Sequence, residues 1–286
     1  MIPSPSPSGS DDKIISVRDL KFTYEGGLEA LKGVNLDIRR GEYVAIVGGN
    51  GSGKTTFAKN LNGLLRPTNG SVTVNGKLAS DRTVAQLARI VGYAFQNPDH
   101  QLFCSSVVEE LEFGPRNLGY TPEEITRKVE HAITALDLKD LRDKPPLSLT
   151  LGERRRVSIA SVVAMDPEVF ILDEPTTGLD ARETDDFMAS IDGLSREGHT
   201  LILITHDMSL VAKHARRVVV MSEGRVVLDS DPGGAFSDLE LLLKSKLVPP
   251  PVVQLAHRLS TIGVPRETLS PEELVFRILL ARGGSQ

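Results

Sequence analysis

Short apolar segments separated by polar turns run through most of the chain. Between residues 14 and 38, and again around residue 72, apolar and polar positions alternate, which is typical of half-buried β-strands. Three further segments are continuously apolar and have the length of a strand; they are residues 43–47, 169–172 and 201–204. Continuous apolar strands indicate burial on both faces, as in a parallel sheet. Residues 218–228 predict a β-hairpin that turns at Glu223 and Gly224.

Helical periodicity replaces this pattern from about residue 96 to residue 164. Thr121, Pro122 and Glu124 predict a helix start, because threonine caps, proline suits the first helical position and an acid at the third completes a capping box. The apolar face of that helix is formed by Ile125, Val129, Ile133 and Leu136. Ser270 and Pro271 predict another helix start. Strands that alternate with helices predict an α/β fold with a mostly parallel sheet.

Composition narrows the class of protein. The 286 residues are 40% apolar and 25% charged, as in ordinary globular proteins, and no stretch of about eighteen apolar residues occurs. A single cysteine, Cys104, excludes an internal disulfide framework; we expect it to be a small apolar filler. The net charge of −5 argues against a broad nucleic-acid-binding surface. We therefore expect a soluble cytoplasmic protein with a disordered Pro/Ser-rich tail in residues 1–12.

A glycine-rich segment lies between the strand at 43–47 and a helical stretch predicted to end near Leu65. It matches G-x-x-x-x-G-K-[ST] with Gly48, Gly49, Asn50, Gly51, Ser52, Gly53, Lys54 and Thr55, followed by Thr56. Glycines let backbone N–H groups surround a phosphate, and a helix N-terminus favours an anion. Lys54 can reach the β- and γ-phosphate oxygens, and the Thr55 hydroxyl can bind Mg²⁺. The segment predicts a nucleoside triphosphate site rather than an empty glycine turn.

Polar residues follow the other apolar strands. Asp173 and Glu174 end the strand at 169–172, where Asp173 can hold Mg²⁺ through water and Glu174 can polarise an attacking water. His206 follows residues 201–204 and is expected to face the same crevice. Gln96 can complete the magnesium shell. Tyr24 can stack on a base, although an ordinary packed aromatic is an equal alternative.

Together these residues resemble, in order and spacing, the ATP-binding cassette (ABC) family over roughly residues 14–246. The resemblance implies ATP and Mg²⁺ as cofactors. It implies these roles: A-loop tyrosine Tyr24, Walker A residues 48–55, Q-loop glutamine Gln96, Walker B aspartate Asp173, catalytic glutamate Glu174, D-loop aspartate Asp180 and switch histidine His206. The implied fold is a P-loop NTPase core with an antiparallel β subdomain. The ABC domain would span 13–246, its helical subdomain about 97–165, and a C-terminal helical extension 247–286.

Within that family the chain looks like the ATP-binding subunit of energy-coupling factor (ECF) importers of vitamins or metal ions. Three segments carry this likeness: residues 96–103, 109–115 and 236–259. It implies a second ABC ATPase subunit, a transmembrane T component and a substrate-binding S component as partners, and a peripheral position on the cytoplasmic face of the membrane. It also implies that Glu109 and Glu110 receive arginine-bearing coupling helices, a solvated helix face being the alternative.

Residues 149–153, LTLGE, depart from the family signature Leu-Ser-Gly-Gly-Gln. Thr150 keeps a hydroxyl and Gly152 keeps a glycine, and the resemblance implies that both contact the nucleotide of the opposite subunit. Leu151 replaces a glycine, where we expect it to block close approach and strain the backbone. Glu153 adds an anion near the triphosphate. We therefore expect a heterodimer in which this chain's own Walker residues complete the competent site; a tolerated variant is the alternative.

Two other functions compete with a transport ATPase. A soluble P-loop phosphotransferase (kinase) would use the same glycine-rich segment but leaves residues 176–180, LTLGE and His206 unexplained. A regulatory ABC cassette of low activity fits the altered signature, although Glu174 argues against complete inactivity.

Overall fold

The computed structural model describes residues 12–283. The tail predicted for residues 1–12 lies outside this range except for Asp12. The described strands are β1 (Lys13–Thr23), β2 (Glu29–Arg39), β3 (Tyr43–Val47), β4 (Asn69–Val74), β5 (Lys77–Leu78), β6 (Val91–Ala94), β7 (Val169–Asp173), β8 (Thr200–Thr205), β9 (Arg217–Ser222) and β10 (Arg225–Ser230).

The described helices connect these strands and extend the chain beyond them. They are α1 (Lys54–Leu61), α2 (Val84–Ala88), α3 (Val107–Asn117), α4 (Pro122–Ala135), α5 (Leu151–Val163), α6 (Ala181–Arg196), α7 (Met208–His214), α8 (Pro232–Ser237), α9 (Leu239–Lys244), α10 (Pro251–Leu259) and α11 (Pro271–Gly283). The order confirms the α/β fold class, with a run of helices between β6 and β7.

A six-stranded sheet forms the centre, in the order β10-β9-β3-β8-β7-β6. Its neighbours pair in parallel except for the β9–β10 hairpin, which is antiparallel as predicted. All five residues of β3 are buried, which explains their continuous apolar character. A separate antiparallel sheet has the order β2-β1-β4-β5.

The central sheet is covered on both faces. Side chains alternate along a strand, so Val44 and Ile46 of β3 pack toward the antiparallel sheet and α1. Ala45 and Val47 join a cluster with α7–α10 instead. A third cluster holds α3–α6 against β7 and β8. The strand ends therefore lie between a β layer and helices.

Helix starts follow the sequence closely, whereas one helix end does not. Thr121 caps α4 in a capping box with Glu124, as predicted. α1 ends at Leu61 rather than near Leu65, because Gly63 adopts φ 77° and lets the chain leave the helix. Leu61 is fully buried, and Leu65 only packs against the same cluster from the loop.

The C-terminal helices both cover the core and expose apolar surface. Leu247 and Val253 are buried in the cluster of α7–α10. Ala256, Val264 and Leu274 form a small cluster of their own. By contrast, four apolar side chains of α11 are exposed: Val275, Phe276, Leu279 and Leu280. No helix within residues 12–283 is both long and apolar enough to span a membrane.

Candidate functional site

The predicted chemistry gathers at the carboxyl ends of four parallel strands. Val47 at the end of β3 pairs with Thr205 of β8, and Asp173 of β7 pairs with Ile204. The glycine-rich segment, Glu174 and His206 follow directly. Gln96 follows the end of β6, which pairs with β7. Ligands of open parallel sheets bind at such an edge.

The loop before α1 is built for close backbone approach. Gly53 adopts φ 103°, and a Cβ there would lie 2.8 Å from the carbonyl oxygen of Ala30. Lys54 crosses under the loop, where its ammonium donates to the carbonyl oxygens of Gly48 (2.7 Å) and Gly49 (3.2 Å). Burial lowers the pKa of Lys54, while the charges of Glu174 and Asp173 oppose that effect. The loop therefore holds a buried cation beside its N–H groups.

Asp173 lies next to the loop and keeps one oxygen free. Its Oδ2 accepts hydrogen bonds from the hydroxyls of Thr55 (3.0 Å) and Tyr93 (2.7 Å). Its Oδ1 is buried and has no hydrogen-bond partner among the described residues. An unpartnered carboxylate oxygen beside a threonine hydroxyl is the donor set that Mg²⁺ prefers. The residues therefore fit the predicted metal.

Glu174 has an unusual backbone and a restrained side chain. Its φ is 49°, in the left-handed region, and its N–H donates to the carbonyl oxygen of Ile204 (2.8 Å). Oε1 lies 2.7 Å from Nδ1 of His206. The hydroxyl of Thr205 donates to Oε2 across a longer 3.4 Å. The predicted base and the predicted switch histidine are thus in direct contact.

A cleft of about 440 Å³ joins these groups. Predicted residues that line it are Tyr24, Asn50, Gly51, Ser52, Gly53, Lys54, Thr55, Thr56, Gln96, Asp173 and Glu174. The hydroxyl of Tyr24 lies 2.8 Å from that of Thr56, and the Tyr24 ring packs edge-on against Phe22. Tyr24 is exposed at the cleft and touches Phe22 only with one edge-on contact, so its stacking on a base stays a prediction.

Several residues at the cleft were not anticipated. Leu28, Glu29, Ala30, Lys32, Glu223 and Gly224 line one wall. They come from β2 and its preceding turn and from the β9–β10 turn. The Gly224 N–H donates to the carbonyl oxygen of Ser52 (3.0 Å). Only pairing of distant segments brings them to the loop, so no local pattern could have indicated them.

Some predicted site residues do not line the cleft. Gly48 and His206 are next to it but not in its lining, and Thr150, Gly152 and Asp180 belong to the starts of α5 and α6. Thr150 caps α5 and Asp180 caps α6, each in a capping box with the glutamate three positions later. Gly152 faces α6, since a Cβ built on it would lie 3.2 Å from both Leu179 and Glu183. Thr150 and Asp180 are exposed at these helix starts, whereas Gly152 is buried beside them, and the contact of all three with a nucleotide stays a prediction.

The expected strain at Leu151 is wrong. Leu151 is the first residue of α5, and it is not among the described residues with positive φ. Its side chain instead covers Gly178, where an added Cβ would lie 2.7 Å from the leucine Cδ2. The substitution therefore fills space beside the segment before α6 and costs no backbone strain.

Glu153 turns back onto its own helix start. Its carboxylate accepts the N–H (2.8 Å) and the hydroxyl (3.0 Å) of Thr150. The hydrogen bond from the Thr150 N–H lowers the pKa of Glu153, and desolvation by burial opposes this effect only in part. The anion thus already occupies donors of Thr150.

The two acidic residues predicted to contact a coupling helix, Glu109 and Glu110, differ in burial. Glu110 is buried, and its Oε2 accepts the N–H groups of Phe103 and Cys104, each at 2.8 Å. Glu110 also lines an apolar groove beside α3, so its contact with an arginine of a coupling helix stays a prediction. Glu109 is exposed and bonded to the Ser105 hydroxyl. Burial, with help from Glu110, raises the pKa of the Cys104 thiol to about 11, which fits an inert filler.

A family model, a curated relative and a solved structure that match this chain are all ABC transporter proteins. The family model described as ABC transporter matches residues 31–177. A protein of Methanocaldococcus jannaschii, the energy-coupling factor transporter ATP-binding protein EcfA, is 40% identical over 249 residues, which are 86% of this chain and 89% of that protein. The solved structure of CbiO1 from Clostridium perfringens, described as part of the ABC transporter complex CbiONQ, superposes with a TM-score of 0.74 at 38% identity and covers 87% of this chain and 99% of its own.

A further relative is much longer. It is provisionally named an ABC transporter ATP-binding protein in Caldanaerobacter subterraneus subsp. tengcongensis, and is 45% identical over 264 residues, which are 92% of this chain but 46% of that protein. The chain spans less than half the length of this relative and of two others.

Proposed function

Because this chain belongs to the ABC transporter ATP-binding family, we propose that it hydrolyses ATP as a subunit of an energy-coupling factor type importer. The observation that carries the proposal is the contact between Glu174 and His206, 2.7 Å apart beside the glycine-rich segment. A carboxylate held there faces the position of a γ-phosphate that Lys54 and the loop N–H groups would bind. Such a pair suits transfer of phosphate to water.

Hydrolysis would proceed by attack of water on the γ-phosphorus. Glu174 orients the water and accepts its proton, while the bond to the β-phosphate oxygen breaks and ADP leaves. Lys54 offsets charge on the phosphate oxygens, since its ammonium already lies buried at the loop. His206 holds the Glu174 carboxylate. The products are ADP, phosphate and one proton.

The chain also offers residues that would hold the metal. Thr55 and Asp173 would hold Mg²⁺, with Gln96 at the exposed rim of the cleft. When bound, Mg²⁺ neutralises charge on the β- and γ-phosphate oxygens.

A groove beside α3 supports docking of the transmembrane T component. It is apolar, about 330 Å³, and includes Phe103 and Phe113. These rings are 62% and 46% exposed and pack edge to face at 4.7 Å. Exposed aromatic pairs are typical of protein interfaces. Exposed Glu109 at the start of α3 would meet an arginine of the docked helix, and the chain would lie at the cytoplasmic face of the membrane through this contact.

The LTLGE segment supports a heterodimer. The Glu153 carboxylate occupies the N–H and hydroxyl of Thr150, which are the donors that a phosphate on the opposite subunit would need. A second anion there is disfavoured by charge repulsion. This chain would therefore provide an efficient Walker side and a weak signature side, paired with a second ABC ATPase. The S component would set substrate choice.

Product analysis tests the reaction. Incubating the chain and its co-purified membrane partners with ATP labelled in the γ-phosphate should release labelled free phosphate. A labelled small-molecule acceptor would indicate the kinase instead. The absence of either product, despite nucleotide binding, would indicate a regulatory cassette.

A further inference from the structure

Arg155 is a buried cation that the chemistry described above does not use. It lies on α5, and only 5% of the residue is exposed. Its neighbour Arg154 lies 3.3 Å from the Asp99 carboxylate, whereas Arg155 has no such salt bridge within residues 12–283. A buried guanidinium without a salt bridge is costly, so its contacts merit an explanation.

The hydrogen bond that Arg155 makes is to Glu174, the residue that we propose as the base. Nη1 of Arg155 donates to the carbonyl oxygen of Glu174 at 2.7 Å. Charge-assisted bonds of this length are strong. The same carbonyl oxygen otherwise accepts the N–H of Thr177 at 3.4 Å, a much longer contact. Arg155 is therefore the main restraint on that peptide group.

The Glu174 peptide needs a restraint. Its φ of 49° is disfavoured for a residue with a side chain. Two short hydrogen bonds hold this backbone besides the long one from Thr177: the Glu174 N–H donates to the carbonyl oxygen of Ile204, and Arg155 donates to the carbonyl oxygen of Glu174. The carboxylate direction follows from the backbone, and it is in this conformation that Oε1 reaches His206. A released peptide would swing the carboxylate away.

We propose that Arg155 is a positioning residue for Glu174, holding the peptide from which the carboxylate reaches His206 and the cleft. The proposal rests on the proposed role of Glu174. Thr150 of the LTLGE segment caps α5, and Arg155 lies on the same helix about 7.5 Å further along its axis. One helix therefore joins the LTLGE segment to the residue that holds the Glu174 peptide. A displacement of LTLGE by a partner subunit would thus reach Glu174 through Arg155.

Variants of the chain assembled with its partner subunit test this role. Arg155→Met should lower kcat about ten- to hundredfold through misplacement of the carboxylate, while KM and the affinity for a fluorescent ATP analogue change less than about twofold. Arg155→Lys, which keeps a charged donor, should recover part of the loss. Arg127→Met removes an exposed charge on α4, outside the cleft and the LTLGE segment, and it should behave as wild type.

Unchanged kcat in Arg155→Met would overturn the proposal. So would a fall in kcat accompanied by equal losses of nucleotide affinity and thermal stability, since that is the result for a residue that only supports the fold. Methionine keeps the length and flexibility of the side chain, and a thermal melt of Arg155→Met shows whether the variant folds. Arg155→Lys provides the second readout if it does not.

A crystal structure of Arg155→Met separates this inference from the proposed function. The Glu174 carboxylate should leave His206, and its φ should leave the left-handed region. Retention of both features would refute the positioning role. This readout decides the question even if the wild-type assembly fails to hydrolyse ATP, a result that would refute the proposed function alone.

Discussion

Single hydrogen bonds decide what the adjacent acidic residues Asp173 and Glu174 can do. The hydroxyls of Thr55 and Tyr93 occupy one oxygen of Asp173 and leave the other for a metal. The left-handed backbone of Glu174 turns its side chain to His206 instead. Neighbours in sequence thus serve different parts of the site.

Replacing Glu174 tests the base directly. Glu174→Gln keeps the shape but cannot accept the proton of water, so hydrolysis should slow about a hundredfold or more while ATP still binds. Phosphate release and nucleotide affinity measure the two effects. Glu168→Gln is the matched control, because Glu168 is exposed and precedes the opposite end of β7. Normal turnover in Glu174→Gln would contradict its assignment.

Lys54 provides the second test at this scale. Lys54→Ala should weaken ATP binding about ten- to a hundredfold, the effect of losing one charge-assisted hydrogen bond to phosphate. Titration with a fluorescent ATP analogue measures it. Lys59→Ala, on the same helix but absent from the cleft, should bind as wild type. Equal affinities in all three proteins would argue against the phosphate-loop interpretation.

At the scale of helices and strands, the residues at helix starts determine where several helices begin. α4, α5 and α6 each begin with a capping box, in which a side chain and a glutamate satisfy N–H groups that the helix itself leaves unpaired. For α5 this box is formed by LTLGE. The same residues that depart from the family signature therefore stabilise the helix that carries Arg155.

Removing one cap measures its contribution. Thr121→Ala should lower the free energy of unfolding by about 1 kcal/mol, since the Glu124 N–H loses its acceptor. Urea denaturation followed by circular dichroism is the measurement. Thr134→Ala changes an exposed residue of the same helix, and should leave stability unchanged or slightly raised, because alanine favours helix. A loss as large at Thr134 would show that the cap is not the cause.

The molecule as a whole presents two unlike surfaces. The cleft combines residues from the loop, three strand ends and the antiparallel sheet. The second surface combines the starts of α5 and α6, where Leu151 covers Gly178. Under the proposed function, the first binds this chain's own ATP and the second faces the nucleotide of a partner.

This asymmetry predicts the behaviour of mixtures. The isolated chain should hydrolyse ATP slowly, because every site would then face an LTLGE segment, and adding an ABC partner with an unaltered signature should raise turnover. Leu151→Gly combined with Glu153→Gln should raise the rate of the isolated chain about tenfold, as expected for a gain of roughly 1.4 kcal/mol in transition-state stabilisation. Phosphate release per site is the measurement.

Robust ATPase activity of the isolated chain that this double variant leaves unchanged would contradict the heterodimer. The Thr121→Ala protein serves as a control, because it alters a capping box outside both surfaces.

The sequence by itself determined the features that are local. The glycine-rich loop, the polar ends of apolar strands and the helix caps depend on residues within a few positions of one another, so their patterns predict them. The α/β fold follows from the alternation of such units. Tertiary structure alone decided that Glu110 is buried, that Leu151 is unstrained and that the start of β2 and the β9–β10 turn line the cleft.

Arg155 shows the physical reason. Its contact with Glu174 joins residues that are 19 positions apart, on a helix and at a strand end that meet only when the sheet and its helical cover pack together. Arg155 is the middle residue of three consecutive arginines, and nothing in the neighbouring sequence indicates which of them points into the interior. Where a side chain points in a packed interior depends on what surrounds it, and that is a property of the folded chain.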